Sequence, residues 1–187
     1  MKLYKLTDAD DKTRKNTQWG AGVTHTASGT GELCSEGWIH AYEHPLLAVL
    51  HNPIHGNFDL ETAHLWECET SDKKPFREGQ MKLGVRKLTT VRRIDVPVVT
   101  LEQRIRYGIF CSLAVYGEAR YRTWATAWLD GTDRTERAAT EAEEAEMAAE
   151  KATRAVERAA ARANKNMNLI ALAEKAMEIT TMKKGGD

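Results

Sequence analysis

The chain has 187 residues, of which 42% are hydrophobic and 29% charged, with 27 basic and 27 acidic side chains. This length suits one ordinary domain, or a smaller domain with a helical appendage. Because the two signs of charge balance, the composition argues against a nucleic-acid binder, which needs a basic excess to displace counterions. It argues equally against an acidic mimic of DNA.

The cysteines and the apolar content indicate the cellular compartment of the protein. Cys34, Cys68 and Cys111 are widely spaced and odd in number, which disfavours a disulfide framework. The residues after Met1 lack the apolar run of a secretory signal, and no apolar stretch reaches the roughly 18 residues of a membrane span. These patterns predict a soluble, cytoplasmic protein that does not enter a membrane.

Residues 1–99 have the patterns of a small α/β domain. Alternation in residues 38–42 puts Trp38, His40 and Tyr42 on one strand face and the intervening residues on the other. A helix is predicted to start at Pro45, next to His44. We predict strands at 3–6, 38–42, 64–69 and 81–94, turns at 8–11, a glycine-flanked hairpin arm or loop at 20–31, a helix at 45–50 and a polar loop at 71–79.

From residue 100 the periodicity becomes helical. Thr100 and Gln103 form a capping-box pattern, and the helix that follows is predicted to end at Gly117. A second helix carries its aromatic residues on one side and ends before Gly131. The predicted fold class is therefore α+β, a small mixed β-sheet with a short helix followed by a helical half. We divide the chain into residues 1–99, packing helices at 100–131, and residues 132–187.

An alanine-rich segment is the most regular pattern in the chain. A long helix is predicted from Asp133 to Asn164, with small residues spaced alternately by four and three positions. This 3.5-residue repeat keeps one seam of a helix towards a partner helix. A last short helix is predicted at 169–182. The seam consists of Ala138, Ala142, Ala145, Ala149, Ala152, Val156, Ala159 and Ala163.

The charges of this segment are divided between its two halves. Residues 136–150 contain six glutamates and one arginine, whereas residues 151–165 contain five basic residues and one glutamate. Two antiparallel copies would set opposite charges side by side, which predicts a homodimer through the seam. The alternatives are packing against the protein's own helices and a solvated helix, and simple matching of the helix dipole would also explain the charges.

All six histidines lie between His25 and His64, and imidazole is both a proton carrier and the commonest metal ligand. Two pairs have the spacing of neighbours on one helix face, but Pro45 and Pro53 argue against a continuous helix through either pair. A zinc site built from loops remains open, as do ordinary hydrogen-bonded histidines; otherwise we expect no cofactor. The candidate zinc ligands are Cys34, His40, His44, His51 and His55.

Two further candidates share this region. Cys34 and His40 have the residue types of a nucleophile and its base, although Cys34 could equally be a small apolar residue. Trp19, Trp38, His40 and Tyr42 could line a pocket for a flat ligand such as a nucleobase. An aromatic core beneath the sheet is the competing interpretation.

Several runs resemble a domain family of unknown function found in phages and prophages. The likeness covers most of residues 1–94 and, more loosely, the C-terminal end. It implies a phage-encoded accessory protein in the host bacterial cytoplasm, and it brings no activity. The runs are TQWGAGVTH at 17–25, ELCSEGWIHAY at 32–42, HPLLAVL at 44–50, LWECE at 65–69, KLG at 82–84, TTV at 89–91 and ALAEKA at 171–176.

These observations predict an interaction protein rather than an enzyme. Small phage accessory proteins often act on host factors, so inhibition of a host defence complex, in the manner of an anti-CRISPR protein, is the leading hypothesis. The first alternative is a small metal- or nucleotide-binding enzyme that uses the His40 region. The second is a virion structural or assembly component.

Overall fold

The structure is a computed structural model that describes residues 1–77, 82–115, 118–132 and 167–178. It confirms the predicted α+β class, with strands in the first half and helices after residue 100. The alanine seam at 138–163 and the helix predicted for it lie outside the described residues. Within the described ranges, no helix is long and apolar enough to cross a membrane.

The elements follow one another in an order close to the predicted one. The strands are β1 (Lys2–Thr7), β2 (Lys12–Thr13), β3 (Thr17–Gln18), β4 (Thr24–Thr26), β5 (Ile39–Ala41), β6 (His64–Glu69), β7 (Phe76–Arg77), β8 (Leu83–Val85) and β9 (Lys87–Ile94). The helices are α1 (Pro45–Leu50), α2 (Asn52–His55), α3 (Leu101–Val115), α4 (Ala119–Asp130) and α5 (Leu169–Met177).

A four-stranded sheet in the order β1-β6-β9-β4 forms the centre of the first half. Its neighbouring strands run antiparallel, and β6 and β9 shift register between Glu67 and Cys68. A second sheet, β5-β8-β7, joins the edge of β1 through a bridge between Tyr4 and Tyr42. The glycine-flanked segment thus supplies β4, an edge strand that pairs with β9.

The central sheet has an apolar cluster on each face, because successive side chains of a strand point to opposite sides. Leu6 and Leu65 belong to the cluster that the helices cover, which we name the helix-side core. The opposite cluster, the strand-side core, consists of Leu3, Trp19, Ala41, Trp66, Cys68, Leu83, Val85 and Leu88.

The helices cover one sheet face through α3. The predicted capping box is confirmed: Thr100 N–H donates to Gln103 Oε1 at 2.8 Å, and Gln103 N–H donates to Thr100 Oγ1 at 3.2 Å. Tyr107 of α3 belongs to the helix-side core, as does Leu169 of α5. Helix α4 packs on α3 through Trp128, so the two predicted packing helices form successive layers.

Helix α2 corrects one part of the sequence reasoning. Pro53 argues against a continuous helix through His51 and His55; His51 does lie outside α2, but Asn52–His55 forms one helical turn around the proline. Proline occupies the first turn, where a backbone N–H has no helical partner and its loss removes no hydrogen bond. His51 is the residue that caps this turn.

Candidate functional site

Two of the histidines join the short helices to the rest of the fold. His51 is fully buried, and its Nε2 lies 2.9 Å from the hydroxyl of Tyr107 on α3. The hydroxyl of Tyr42 lies 2.7 Å from His55 Nδ1, and the two imidazole rings are 5.9 Å apart. These hydrogen bonds satisfy polar groups inside the helix-side core, where an unmade bond is costly.

His44 caps α1, as its position before Pro45 predicts. Its Nδ1 accepts a hydrogen bond from the backbone N–H of Leu46 at 3.3 Å. Its Nε2 lies 3.8 Å from a carboxylate oxygen of Glu174 on α5. The ring therefore connects the start of one helix to the C-terminal helix.

His40 is held by the loop that precedes β5. Its Nε2 contacts the carbonyl oxygen of Leu33, and because a carbonyl only accepts, this nitrogen carries the proton. Burial lowers the pKa of His40 to about 4, so the ring is neutral near physiological pH. Cys34 is exposed. Since Nε2 donates to Leu33, only Nδ1 has the lone pair that a base for a Cys34 nucleophile would need.

The candidate zinc ligands do not assemble into a site among the described residues. No group of three or more His, Cys, Asp or Glu side chains in those ranges is placed to hold a metal ion. The other two cysteines are buried in separate cores, and burial raises the pKa of Cys68 and of Cys111 to about 12. Both are therefore protonated thiols, whereas metals bind the thiolate.

The aromatic residues suggested as a ligand pocket lie on different sides of the sheet. Trp19 is buried in the strand-side core, and its Nε1 donates to Thr13 Oγ1 at 2.9 Å. Tyr42 belongs to the helix-side core. Trp38 stacks on Phe76 with ring centroids 4.8 Å apart. The core interpretation therefore fits Trp19 and Tyr42.

One lysine of the first strand is buried, which its sequence pattern does not indicate. Lys5 points into the strand-side core, where its ammonium group donates to the backbone oxygen of His40 at 3.0 Å. The same nitrogen lies 4.8 Å from the ring centroid of Trp19, which supplies a cation–π contact. Burial lowers the pKa of Lys5 to about 8. A lysine in an alternating strand usually faces solvent, so the pattern gave no sign of it.

A second missed feature is a carboxylate that holds a histidine. Asp11 Oδ1 accepts hydrogen bonds from His64 Nδ1 at 2.8 Å and from Trp66 Nε1 at 3.0 Å. Asp11 Oδ2 accepts from Arg93, whose guanidinium lies 5.4 Å from the Trp66 ring. We name these four residues the Asp11 cluster. Its members come from the turn after β1 and from β6 and β9.

Asp11 is fixed in its place as an ionised group. Its φ of 61° lies in the left-handed region, which costs a residue other than glycine free energy. Partial burial raises the pKa of its carboxyl, but hydrogen bonds from Arg93, His64 and Trp66 outweigh that effect and leave the pKa below its usual range. The carboxylate is therefore charged and preoriented towards the imidazole.

The fold and these sites define the class of this protein only broadly, as an α+β protein with one central sheet between two cores. No protein-family model, curated protein or solved structure matches the chain. The resemblance to a phage domain family accordingly stays a prediction.

Proposed function

We propose that this protein acts by binding other proteins and that its alanine-rich segment pairs two copies of the chain. The observation that carries this proposal is the attachment of that segment at both ends. Leu129, just before it, and Met167, just after it, pack against the same helix-side core. Pairing through this segment would therefore bring two such cores close to each other.

The chemistry of the histidine-rich segment supports the same proposal. His40, His51 and His55 each use one ring nitrogen in a hydrogen bond inside the fold, to a backbone carbonyl or to a tyrosine hydroxyl. Such contacts stabilise the structure. These contacts favour a structural role of the histidines over the alternative of an enzyme that uses the His40 region.

The origin implied by the phage-family resemblance extends the proposal. We propose a phage-encoded accessory protein that works in the cytoplasm of the host bacterium, where it binds and inhibits a host defence complex. A paired chain presents each surface twice, which raises the apparent affinity for a multisubunit target.

The pairing is tested by Ala149→Glu, with Ala148→Glu as its matched control. Both variants add the same charge one residue apart, but only Ala149 belongs to the 3.5-residue seam. Sedimentation velocity should give a two-chain mass for the wild type and for Ala148→Glu, and a one-chain mass for Ala149→Glu. A wild type that sediments as one chain at micromolar concentration would contradict the pairing.

The host target is tested in bacteria with an active CRISPR–Cas system. Expression of the wild type should raise the transformation efficiency of a targeted plasmid, and Ala149→Glu should abolish that effect. If the wild type and the empty vector give equal efficiencies against a panel of such systems, inhibition of CRISPR–Cas defence is wrong.

A further inference from the structure

The hydrogen bond between Asp11 and His64 determines which nitrogen of the ring carries a proton. An ionised carboxylate only accepts, so His64 Nδ1 is the donor in the 2.8 Å contact. In the neutral ring the second nitrogen, Nε2, then has the free lone pair. The bond to Asp11 uses Nδ1 alone, and 26% of the side chain is exposed.

The hydrogen-bond partner of His64 differs from those of His25 and His40. His25 Nε2 bonds to the backbone oxygen of Gln18, and His40 Nε2 bonds to that of Leu33. In those two rings the partner of the protonated nitrogen is a neutral backbone carbonyl. In His64 the partner is a carboxylate, which fixes Nδ1 as the donor and stabilises the imidazolium that forms when Nε2 takes a proton, as in the general bases of enzymes.

Arg93 adds a second functional group on the same carboxylate. It donates to the other oxygen of Asp11, while half of its side chain is exposed. Trp66 holds the guanidinium in place through the contact of its ring face. A guanidinium presents several donors in a planar fork that matches the oxygens of a phosphate group.

We propose that the Asp11 cluster is a hydrolytic site for phosphate diesters, in which His64 is the general base and Arg93 binds the phosphate. Water gives a proton to His64 Nε2 while its oxygen forms a bond to phosphorus. The bond between phosphorus and the leaving oxygen breaks, and the imidazolium returns the proton to that oxygen. Asp11 is a positioning residue that holds the ring in the reactive tautomer.

The inference does not depend on the proposed function, because the alanine-rich segment contributes no residue to the cluster. Ala149→Glu should therefore leave hydrolysis unchanged, whatever it does to pairing. Arg92→Gln is the matched control for Arg93→Gln: Arg92 is the preceding residue of β9 and pairs with Glu67 at 2.9 Å, away from the cluster.

The first test needs no substrate. Nitrogen-15 NMR of the full chain, with the ring assigned from a His64→Gln spectrum, should show a protonated Nδ1 and an unprotonated Nε2 for neutral His64. Asp11→Asn should mix the two tautomers, because an amide either donates or accepts. A wild-type ring with its proton on Nε2 would overturn the proposal.

The second test is hydrolysis of bis(p-nitrophenyl) phosphate, followed through p-nitrophenol release. We expect His64→Ala to lower kcat about 100-fold, added imidazole to restore part of that loss, and Arg93→Gln to raise KM with Arg92→Gln unchanged. The imidazole rescue separates a lost base from a damaged fold. The proposal is overturned if the wild type releases no more p-nitrophenol than buffer, or if His64→Ala is equally active.

Discussion

The histidine-rich segment and the Asp11 cluster use the same side chain in opposite ways. In residues 40–55, imidazole nitrogens bond to tyrosine hydroxyls and backbone groups, and His51 is excluded from solvent. In the Asp11 cluster, a carboxylate holds one nitrogen of His64, and 26% of that side chain is exposed. The number of histidines in a segment thus says less about chemistry than the partner of each ring.

Stability should separate the two regions most strongly. We expect His51→Ala to lower the free energy of unfolding by about 3 kcal/mol, because it leaves a cavity and removes the buried hydrogen bond between His51 and the Tyr107 hydroxyl. His64→Ala should cost less than about 1 kcal/mol, since the ring is partly exposed and Asp11 keeps two other donors. Urea denaturation measures both. Equal losses would remove the distinction between the regions.

Lys5 should make the strand-side core sensitive to alkaline pH. Burial lowers the pKa of the folded-state ammonium from 10.5 to about 8, so between these values the unfolded chain binds more protons. The free energy of unfolding therefore rises with pH across this window, by about 2–3 kcal/mol relative to Lys5→Met. Urea titrations of both proteins at several pH values measure the difference. If the difference in free energy of unfolding between the two proteins stays constant from pH 8 to 10.5, the lowered pKa of Lys5 is wrong.

His40 should have the corresponding effect on the acidic side. Burial lowers its pKa from 6.5 to about 4, so the unfolded chain again binds more protons between these values. Stability falls as the pH drops through this window, by about 1–2 kcal/mol relative to His40→Gln once partial exposure is allowed for. Thermal or urea unfolding of the pair at several pH values tests this. Parallel pH profiles for the two proteins would show that His40 does not titrate in this way.

The smallest effect concerns Asp11. Asp11→Asn should cost about 1 kcal/mol at neutral pH, where it weakens the charge-assisted bonds from Arg93 and His64. The folded-state pKa of this carboxyl is lowered, so its contribution is present above the unfolded value and is lost as the pH falls through the folded value. Urea unfolding at neutral and strongly acidic pH should show the difference shrinking. A cost that is the same at both pH values would contradict a contribution from the ionised carboxylate.

Local patterns predicted the elements well where one short segment contains all the causes. The strand at 64–69 has the bounds of β6, the capping box at Thr100 and Gln103 forms, and the first helix begins at Pro45. Pro53 shows the limit of such a rule. Proline disrupts a helix interior but fits a first turn, and the turn at α2 is too short to have an interior.

The candidate sites were harder to predict because their residues are distant along the chain. Asp11 and His64 are 53 positions apart, and Asp11 and Arg93 are 82 apart. No periodicity or spacing rule reaches across such distances. Residues 38–44 suggest a metal or ligand site because they are rich in histidines and aromatic residues. Composition alone does not determine which side chains contact each other in the fold.

The sequence by itself determined the α+β class, the strand and helix periods and the helix caps, because these depend on hydrophobic spacing and on side chains within a few residues of each other. The tertiary structure alone decided which polar groups became partners. Sheet register set Trp66 opposite Arg93, and the turn after β1 brought Asp11 over them and His64. A hydrogen bond requires atoms within about 3 Å, and only the folded chain brings such distant residues that close.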